Sequence, residues 1–151
     1  MIPDQIERET LIEAPVETVW NVVTEPDHIA RWFSDAASID LRPGGDGSLT
    51  WDGYGTHALR VVTVERPRLF AFRWELPEGE EPREDNSLLV EFQLEPDGEN
   101  TRLRVVESSL DAVTWTGERK QQVLDGHSDG WARRIVALTA YAAELHGTPA
   151  R

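Results

Sequence analysis

The sequence predicts an α+β fold in which a curved antiparallel sheet packs around one long C-terminal helix. The first observation is an apolar period of 3.6 residues in residues 118–146, typical of an amphipathic helix. Its apolar stripe consists of Leu124, Trp131, Ile135, Leu138, Ala142 and Leu145. The second is a series of upstream segments in which apolar and polar residues alternate, typical of antiparallel strands. Because the stripe needs an apolar partner, we expect the sheet to cover it, with a possible space for a ligand between them.

Length and composition are those of one globular domain spanning residues 1–151. The chain has 151 residues, of which 39% are hydrophobic, enough for a full core. It has no cysteine, which excludes disulfides and thiolate metal sites and suits a reducing cytosol. The N-terminal stretch MIPDQIERET is polar, and no apolar run approaches about 20 residues. We therefore expect a soluble, cytoplasmic protein without membrane insertion.

The net charge of −13 argues against partners with a phosphate backbone. A strongly acidic surface repels nucleic acids and anionic lipid headgroups. Motifs for phosphate binding and covalent catalysis are also missing from the sequence. The PGGDG turn at 43–47 lacks the strand, helix and lysine of a phosphate loop, and no G-x-S-x-G elbow is present. We therefore expect no nucleic-acid partner and no cofactor.

The first quarter of the chain predicts a strand followed by two short helices. Residues 5–13 alternate between an acidic face and a second face formed by Ile6, Arg8, Thr10 and Ile12. Pro15 fits the first position of a helix whose apolar face is Val16, Val19, Trp20 and Val23. Pro26 interrupts this helix, and Asp27 can cap a second one whose apolar face is Ile29, Trp32 and Phe33.

Six further strands are predicted, separated mostly by short turn sequences such as PGGDG, DGYG and EPDGEN. These strands lie at residues 38–42, 48–51, 56–65, 69–75, 87–95 and 101–109. A longer acidic connection that includes Glu78 occupies residues 77–86. The short turns predict that the seven strands form one antiparallel sheet, with the two short helices between its first and second strands.

Alternation also predicts which side chains of the sheet face the long helix. In the strands at 69–75 and 87–95, the inward face consists of Phe70, Phe72, Trp74, Leu88, Val90, Phe92 and Leu94. In the last strand Leu103 and Val105 point inward, and the same parity carries Glu107 toward the interior. His57 shares the parity of the inward residues Leu59 and Val61. A carboxylate and an imidazole are therefore expected on a mainly apolar face.

Four stretches of the chain carry a family resemblance. They are IEAPVETVWNVVTEPDHIARWF at 12–33, VERPRLFAFRW at 64–74, LEPDGENTRLRVVES at 94–108 and SDGWARRIVALTAYAAEL at 128–145. Together they resemble the activator of heat-shock protein 90 ATPase homologue-like family of the START-related, or SRPBCC, superfamily. The resemblance implies a helix-grip fold, in which the seven-stranded sheet holds the C-terminal helix around a deep apolar cavity. It implies no catalytic set, because this fold hosts many activities.

Glu107 and His127 are the candidate catalytic residues. A buried carboxylate without a cation has a raised pKa and can act as an acid or base, whereas a carboxylate paired with Arg8 or Arg134 is structural. His127 lies at the edge of the helix stripe. There it can bind a ligand hydroxyl or carbonyl or act as a general base; the alternative is a structural histidine bonded to a backbone carbonyl or water.

Two glycines flank His127 in the predicted helix. Gly126 and Gly130 each cost about 1 kcal/mol relative to alanine in a helix interior. Such a cost indicates the close approach of a strand, room for a ligand, or a kink in the helix. A metal site would have to gather His57, Glu107 and His127 from separate elements, and no local ligand spacing supports one. We therefore expect no metal.

The predicted ligand contacts are aromatic and polar residues near the inward face. Tryptophans near the ends of elements suit a pocket rim, because they combine an apolar body with a polar N–H. These are Trp32, Trp51, Trp74 and Trp115. The alternative is that the aromatic side chains fill the interior themselves. The full predicted contact set is Trp32, Trp51, His57, Phe72, Trp74, Phe92, Glu107, His127 and Trp131.

Three hypotheses for the function are open at this point. The first is binding of a small hydrophobic or aromatic molecule, such as a lipid or a polyketide-like compound, in an internal cavity. The second is an enzyme of the aromatase/cyclase or hydrolase type that uses His127 and Glu107. The third, implied by the family name, is a chaperone-interacting ATPase activator of the stress response. A homodimer is compatible with each of them.

Overall fold

Seven strands and three helices make up the part of the chain that this computed structural model describes, residues 5–75, 77 and 79–147. Glu78 of the predicted acidic connection lies outside the described residues. In chain order the elements are β1 (Ile6–Ile12), α1 (Val16–Thr24), α2 (Pro26–Trp32), β2 (Ala36–Ile39), β3 (Asp46–Trp51), β4 (Gly55–Glu65), β5 (Leu69–Trp74), β6 (Leu88–Asp97), β7 (Asn100–Ser108) and α3 (Gly117–Gly147).

The strands form one antiparallel sheet in the order β1-β7-β6-β5-β4-β3-β2. Consecutive strands are neighbours except β1, which pairs with β7, so the chain returns to its first strand before it enters α3. A register shift between Val61 and Thr63 marks an irregularity in β4, of the kind that bends a strand. The curved sheet and the long helix confirm the predicted α+β helix-grip fold.

The predicted parity of the strands is confirmed by burial. Side chains of the inward face of β5, β6 and β7 are almost fully buried, including Phe70, Val90 and Leu103. Glu107 is buried with them, with 3% of its surface exposed. It lies near the end of β7, between Ile6 of β1 and Val90 of β6. The alternation therefore predicted the inward face of these strands correctly, including the one carboxylate on it.

The starts of the two short helices differ from the prediction by one position. Pro15 is the N-cap of α1 and not its first helical residue, because its extended backbone ends the preceding segment. In α2 it is Pro26 that takes the first helical position, where a missing N–H costs nothing, and Glu25 is the N-cap. Asp27 therefore lies in the first turn and does not cap the helix.

Helix α3 is continuous from Gly117 to Gly147 and packs against β1, α1 and α2. The middle of its apolar stripe is buried, at Trp131, Ile135, Leu138 and Ala142. Leu145 was predicted to belong to this stripe but is 41% exposed. A helix of 31 residues is about 46 Å long, roughly twice the length of a seven-residue strand, so β1 covers only part of it. None of the described helices is long and apolar enough to cross a bilayer.

The deep apolar cavity implied by the resemblance is not found among the described residues. Between α2 and the sheet, aromatic rings fill the interior: Trp32 meets Phe92 edge to face at 6.1 Å, and Phe70 stacks on Phe92 at 6.1 Å. The space left between these side chains is about 10 Å³. The interior is thus a packed core, and the larger recesses open at its edge.

Candidate functional site

The carboxylate of Glu107 is held by donors from β5 and α3. Trp74 donates its indole N–H to Oε2 at 2.6 Å, and Trp131 donates to Oε1 at 2.9 Å. The third partner is Nδ1 of His127, at 2.9 and 3.0 Å from the two oxygens. These hydrogen bonds replace the water that the carboxylate loses on burial.

The predicted pairing of Glu107 with an arginine is wrong. On β1, Ile6 and not Arg8 lies opposite Glu107. The guanidinium of Arg8 instead donates to the backbone oxygen and the hydroxyl of Ser128, at 3.1 and 2.8 Å. The second predicted partner, Arg134, makes no ion pair with Glu107 among the described residues and lines the adjacent pocket.

One ring nitrogen of His127 is hydrogen-bonded to Glu107, and the other faces the pocket. Because a carboxylate only accepts hydrogen bonds, Nδ1 carries a hydrogen and Nε2 is left for the pocket side. Burial lowers the pKa of His127, but the hydrogen bond to Glu107 and the charges of Glu107 and Glu75 outweigh it, so the pKa is raised. The pair can therefore hold, give or take a proton at Nε2.

Glu75 is the third polar group of the site and was not among the predicted site residues. Its Oε1 lies 3.9 Å from Nε2 of His127 and 3.9 Å from Nδ1 of His57. In a regular strand Glu75 would share the outward parity of Arg73. Its φ of 61° puts it in the left-handed region directly after β5, and its carboxylate lies beside these two imidazoles. No periodicity in the sequence signals such a reversal.

These polar groups line a pocket of about 200 Å³ at one edge of the grip. Its aromatic walls are Phe33, Trp51, Trp74 and Trp131. Phe33 stacks on Trp131 at 5.2 Å, and Trp51 meets Phe33 edge to face at 5.3 Å. Trp51 also donates its indole N–H to the backbone oxygen of Phe33 at 2.9 Å, which fixes the two rings relative to each other. Arg133 and Arg134 complete the lining on α3.

Gly126 and Gly130 line the same pocket from α3. A Cβ atom added at either glycine would meet nothing within 4 Å, so no strand approaches the helix there. The helix is also unbroken at both positions. Of the three explanations considered for these glycines, only open space beside the helix agrees with the structure.

A second recess of about 440 Å³ shares Glu75 and His57 with the pocket. Its wall includes Trp115, whose ring is covered by the guanidinium of Arg119 at 4.0 Å. The side chains of Glu75 and His57 are therefore accessible from both the pocket and the second recess.

The predicted contact residues separate into two groups in the structure. Those that line the pocket are Trp51, His57, Trp74, His127 and Trp131. Trp32, Phe72 and Phe92 instead surround the small residual space of the core, because the inward face of the sheet continues beyond the pocket. Glu107 does not line the pocket itself but is hydrogen-bonded to three residues that do, His127, Trp74 and Trp131. Sequence reasoning omitted Phe33, Glu75 and Arg133 from the site.

Among the described residues, no set of three or more His, Cys, Asp or Glu side chains is arranged to hold a metal ion. His57 and His127 are each within 4 Å of Glu75, but Glu107 is on the far side of the His127 ring and is bonded to indoles. The described side chains of the site offer hydrogen-bonding groups and aromatic surfaces.

A family model described as Activator of Hsp90 ATPase homolog 1-like protein matches residues 13–143. The chain belongs to this family. The matched segment includes every pocket residue, from Phe33 to Arg134. No curated protein sequence is a significant match to the chain.

Solved structures similar to this member of the Activator of Hsp90 ATPase homolog 1-like family share its fold. Protein MLL2253 from Mesorhizobium loti has a TM-score of 0.75 at 21% identity, over 91% of this chain and 95% of that one. The Aha1 dimer from Colwellia psychrerythraea has a TM-score of 0.73 at 18% identity, over 96% and 98%. CalU16 from Micromonospora echinospora has a TM-score of 0.68 at 25% identity, over 93% and 77%.

Proposed function

We propose that this protein is a cytoplasmic binding protein for a small aromatic molecule, which it holds at the edge of the helix grip. The observation that carries the proposal is the pocket in which the rings of Phe33, Trp51, Trp74 and Trp131 surround the polar groups of Glu75 and His127. Apolar walls with a few convergent polar groups are typical of small-molecule sites.

The size of the pocket limits the ligand. Its volume of about 200 Å³ is below the roughly 300–1,000 Å³ of sites for drug-sized ligands. A compound of one or two rings fits this space, whereas a lipid chain or a polycyclic compound exceeds it. The proposal is therefore narrower than the hydrophobic class expected from the resemblance.

The two glycines of α3 that line the pocket, Gly126 and Gly130, are a second argument for a ligand in it. Alanine at Gly126 or Gly130 would favour the helix by about 1 kcal/mol and would meet no neighbouring atom. The sequence thus has glycine, and not the more stabilising alanine, at two helix positions that line the pocket. A ligand bound there would explain why no side chain projects from these positions.

The proposal is tested by titrating the protein with toluene and with indole while the indole N–H resonances of its tryptophans are followed by NMR. We expect the signals of Trp51, Trp74 and Trp131 to shift, and that of the core residue Trp20 to stay unchanged. The Gly130→Leu variant, in which the new side chain occupies the open space, should lose these shifts. The proposal fails if neither compound moves a pocket resonance, or if Gly130→Leu responds like the unmodified protein.

A general acid–base enzyme is the second candidate, and it is favoured by the bond between Glu107 and His127. A carboxylate that holds one imidazole nitrogen leaves the other oriented for proton transfer, a contribution of roughly 10²–10⁴-fold in enzymes. We would test it with hydrolysis of 4-nitrophenyl acetate, comparing His127→Gln with the control His28→Gln. His28 is bonded to Tyr141 outside the pocket. A wild-type rate that His127→Gln leaves unchanged contradicts this candidate.

A further inference from the structure

We propose that the ligand is a hydroxyaromatic compound whose hydroxyl group binds between His127 and Glu75. This inference rests on the proposed function, because it names the class of aromatic molecule that the same pocket takes. The aromatic walls accept the ring, and the two polar groups select the substituent.

The distance between the two polar groups defines the space for that substituent. Nε2 of His127 and Oε1 of Glu75 are 3.9 Å apart, too far for a direct hydrogen bond. An oxygen atom about 2.8 Å from each of them forms two hydrogen bonds of normal length. The same Oε1 is also 3.9 Å from Nδ1 of His57, so the Glu75 carboxylate lies near both imidazoles.

The hydrogen-bonding roles select a group that both donates and accepts. The Glu75 carboxylate only accepts, and Nε2 of a protonated His127 only donates. A hydroxyl group satisfies both partners at once, whereas a methyl group satisfies neither and a carboxylate cannot donate to Glu75. An ammonium group cannot accept from His127 and would lie close to the cations His127 and Arg134.

His127 favours the donating role because its pKa is raised. Burial lowers that pKa, and the hydrogen bond to Glu107 together with the charges of Glu107 and Glu75 raises it further than burial lowers it. Nδ1 is already committed to Glu107, so the proton added to the ring resides on Nε2.

The position of Glu75 also supports a contact with the ligand. Its side chain is 20% exposed, and no hydrogen bond to its carboxylate is found within the described part of the chain; its contacts are the two histidine nitrogens at 3.9 Å. Its backbone is in the left-handed region, which non-glycine residues rarely adopt and which tends to occur at functional sites. The unusual backbone conformation of Glu75 thus places its carboxylate, a hydrogen-bond acceptor, beside the aromatic rings of the pocket.

The test compares phenol, toluene and benzylamine, which present a hydroxyl, a methyl and an ammonium group on the same ring. Dissociation constants are measured at neutral pH from the NMR shifts of the pocket indole N–H groups. We expect phenol to bind at least about tenfold more tightly than toluene, as for a hydrogen bond to a charged group, and more tightly than benzylamine.

Two variants locate the hydroxyl group. Glu75→Leu should remove the preference for phenol while toluene still binds, and that toluene affinity verifies that the variant pocket is folded. Glu75→Gln, which keeps the shape and one acceptor, should retain part of the preference. The matched control Glu95→Leu, at an exposed position of β6, should behave like the unmodified protein.

Each other result overturns a defined part of the inference. Equal affinities for phenol and toluene, or tighter binding of benzylamine, overturn the hydroxyl site and leave the proposed function intact. A preference for phenol that persists in Glu75→Leu also overturns it. Binding of none of the three compounds overturns the proposed function, and this inference with it.

Discussion

Glu107 is stable in the core because donors from β5 and α3 replace the water that it loses on folding. Parity alone predicted that this side chain points inward, since Leu103 and Val105 precede it on the same face. The identity of its partners depends on how α3 lies across the sheet, and the sequence pointed to arginines instead. The indole of Trp131 and the imidazole of His127 are within reach only because α3 packs beside β7 at this point.

Removing the carboxylate is expected to be costly. In Glu107→Leu, the N–H groups of Trp74, Trp131 and His127 lose their shared acceptor. We expect the free energy of unfolding to fall by about 3–5 kcal/mol, as when one partner of a buried pair is removed. Urea unfolding measures this change. The exposed control Glu95→Gln should stay within about 0.5 kcal/mol of the unmodified protein, and a similarly small effect at Glu107 would contradict the described network.

The pH dependence of stability should report His127. Its folded pKa lies above the ordinary value of 6.5. A group whose pKa is raised by folding contributes its full stabilisation below the unfolded pKa and loses it as the pH rises through the folded pKa. We therefore expect the advantage of the wild type over His127→Gln to shrink as the pH rises from about 6 toward 9. Urea unfolding across this range gives the difference, and an advantage that is constant or grows with pH contradicts the prediction.

At the scale of elements, the site depends on β5, whose end carries Glu75, and on α3, which carries His127 and Trp131. The periodicity of both elements was predicted, and their inward faces are confirmed by burial. The turn that brings Glu75 beside the pocket lies at the end of β5, where alternation no longer applies. The regular pattern therefore predicted Trp74, His127 and Trp131 of the pocket, whereas the backbone turn that directs Glu75 into it had no signal in the sequence.

The glycines of α3 allow a test at this scale. Gly126→Ala and Gly130→Ala should each raise the free energy of unfolding by up to about 1 kcal/mol, because alanine has the higher helix propensity and its Cβ meets no atom. Thermal or urea unfolding measures the gain. A loss of stability in either variant would show that the backbone needs glycine there, and would remove the argument that the positions are kept open for a ligand.

For the molecule as a whole, a filled core and an edge pocket replace the deep cavity expected from the resemblance. Phe70, Phe72 and Phe92 pack together between the sheet and the short helices, at centroid distances of 5.6–6.2 Å. Phe72 and Phe92 therefore stabilise the fold and do not line the pocket. A chaperone partner and a homodimer stay predictions, because the structure contains one chain.

Packing in the core and lining of the pocket can be separated by mutation. Phe92→Ala should lower the free energy of unfolding by about 3–5 kcal/mol, because it removes a fully buried ring from the core. The shifts of the Trp51 and Trp74 indole signals on addition of toluene should persist, since the Phe92 ring does not line the pocket. Urea unfolding and the NMR titration measure the two quantities. A large loss of affinity without loss of stability would instead place Phe92 at the binding site.

The sequence by itself determined the elements, their faces and the fold, because hydrophobic periodicity and turn residues are local properties of the chain. It also predicted that Glu107 points inward and that His127 lies at the edge of the apolar stripe of the helix. Only the tertiary structure decided that the carboxylate pairs with an imidazole and two indoles, that Glu75 turns into the site, and that aromatic rings close the interior. These outcomes depend on distances between residues far apart in the chain and on side-chain packing, which no periodicity specifies.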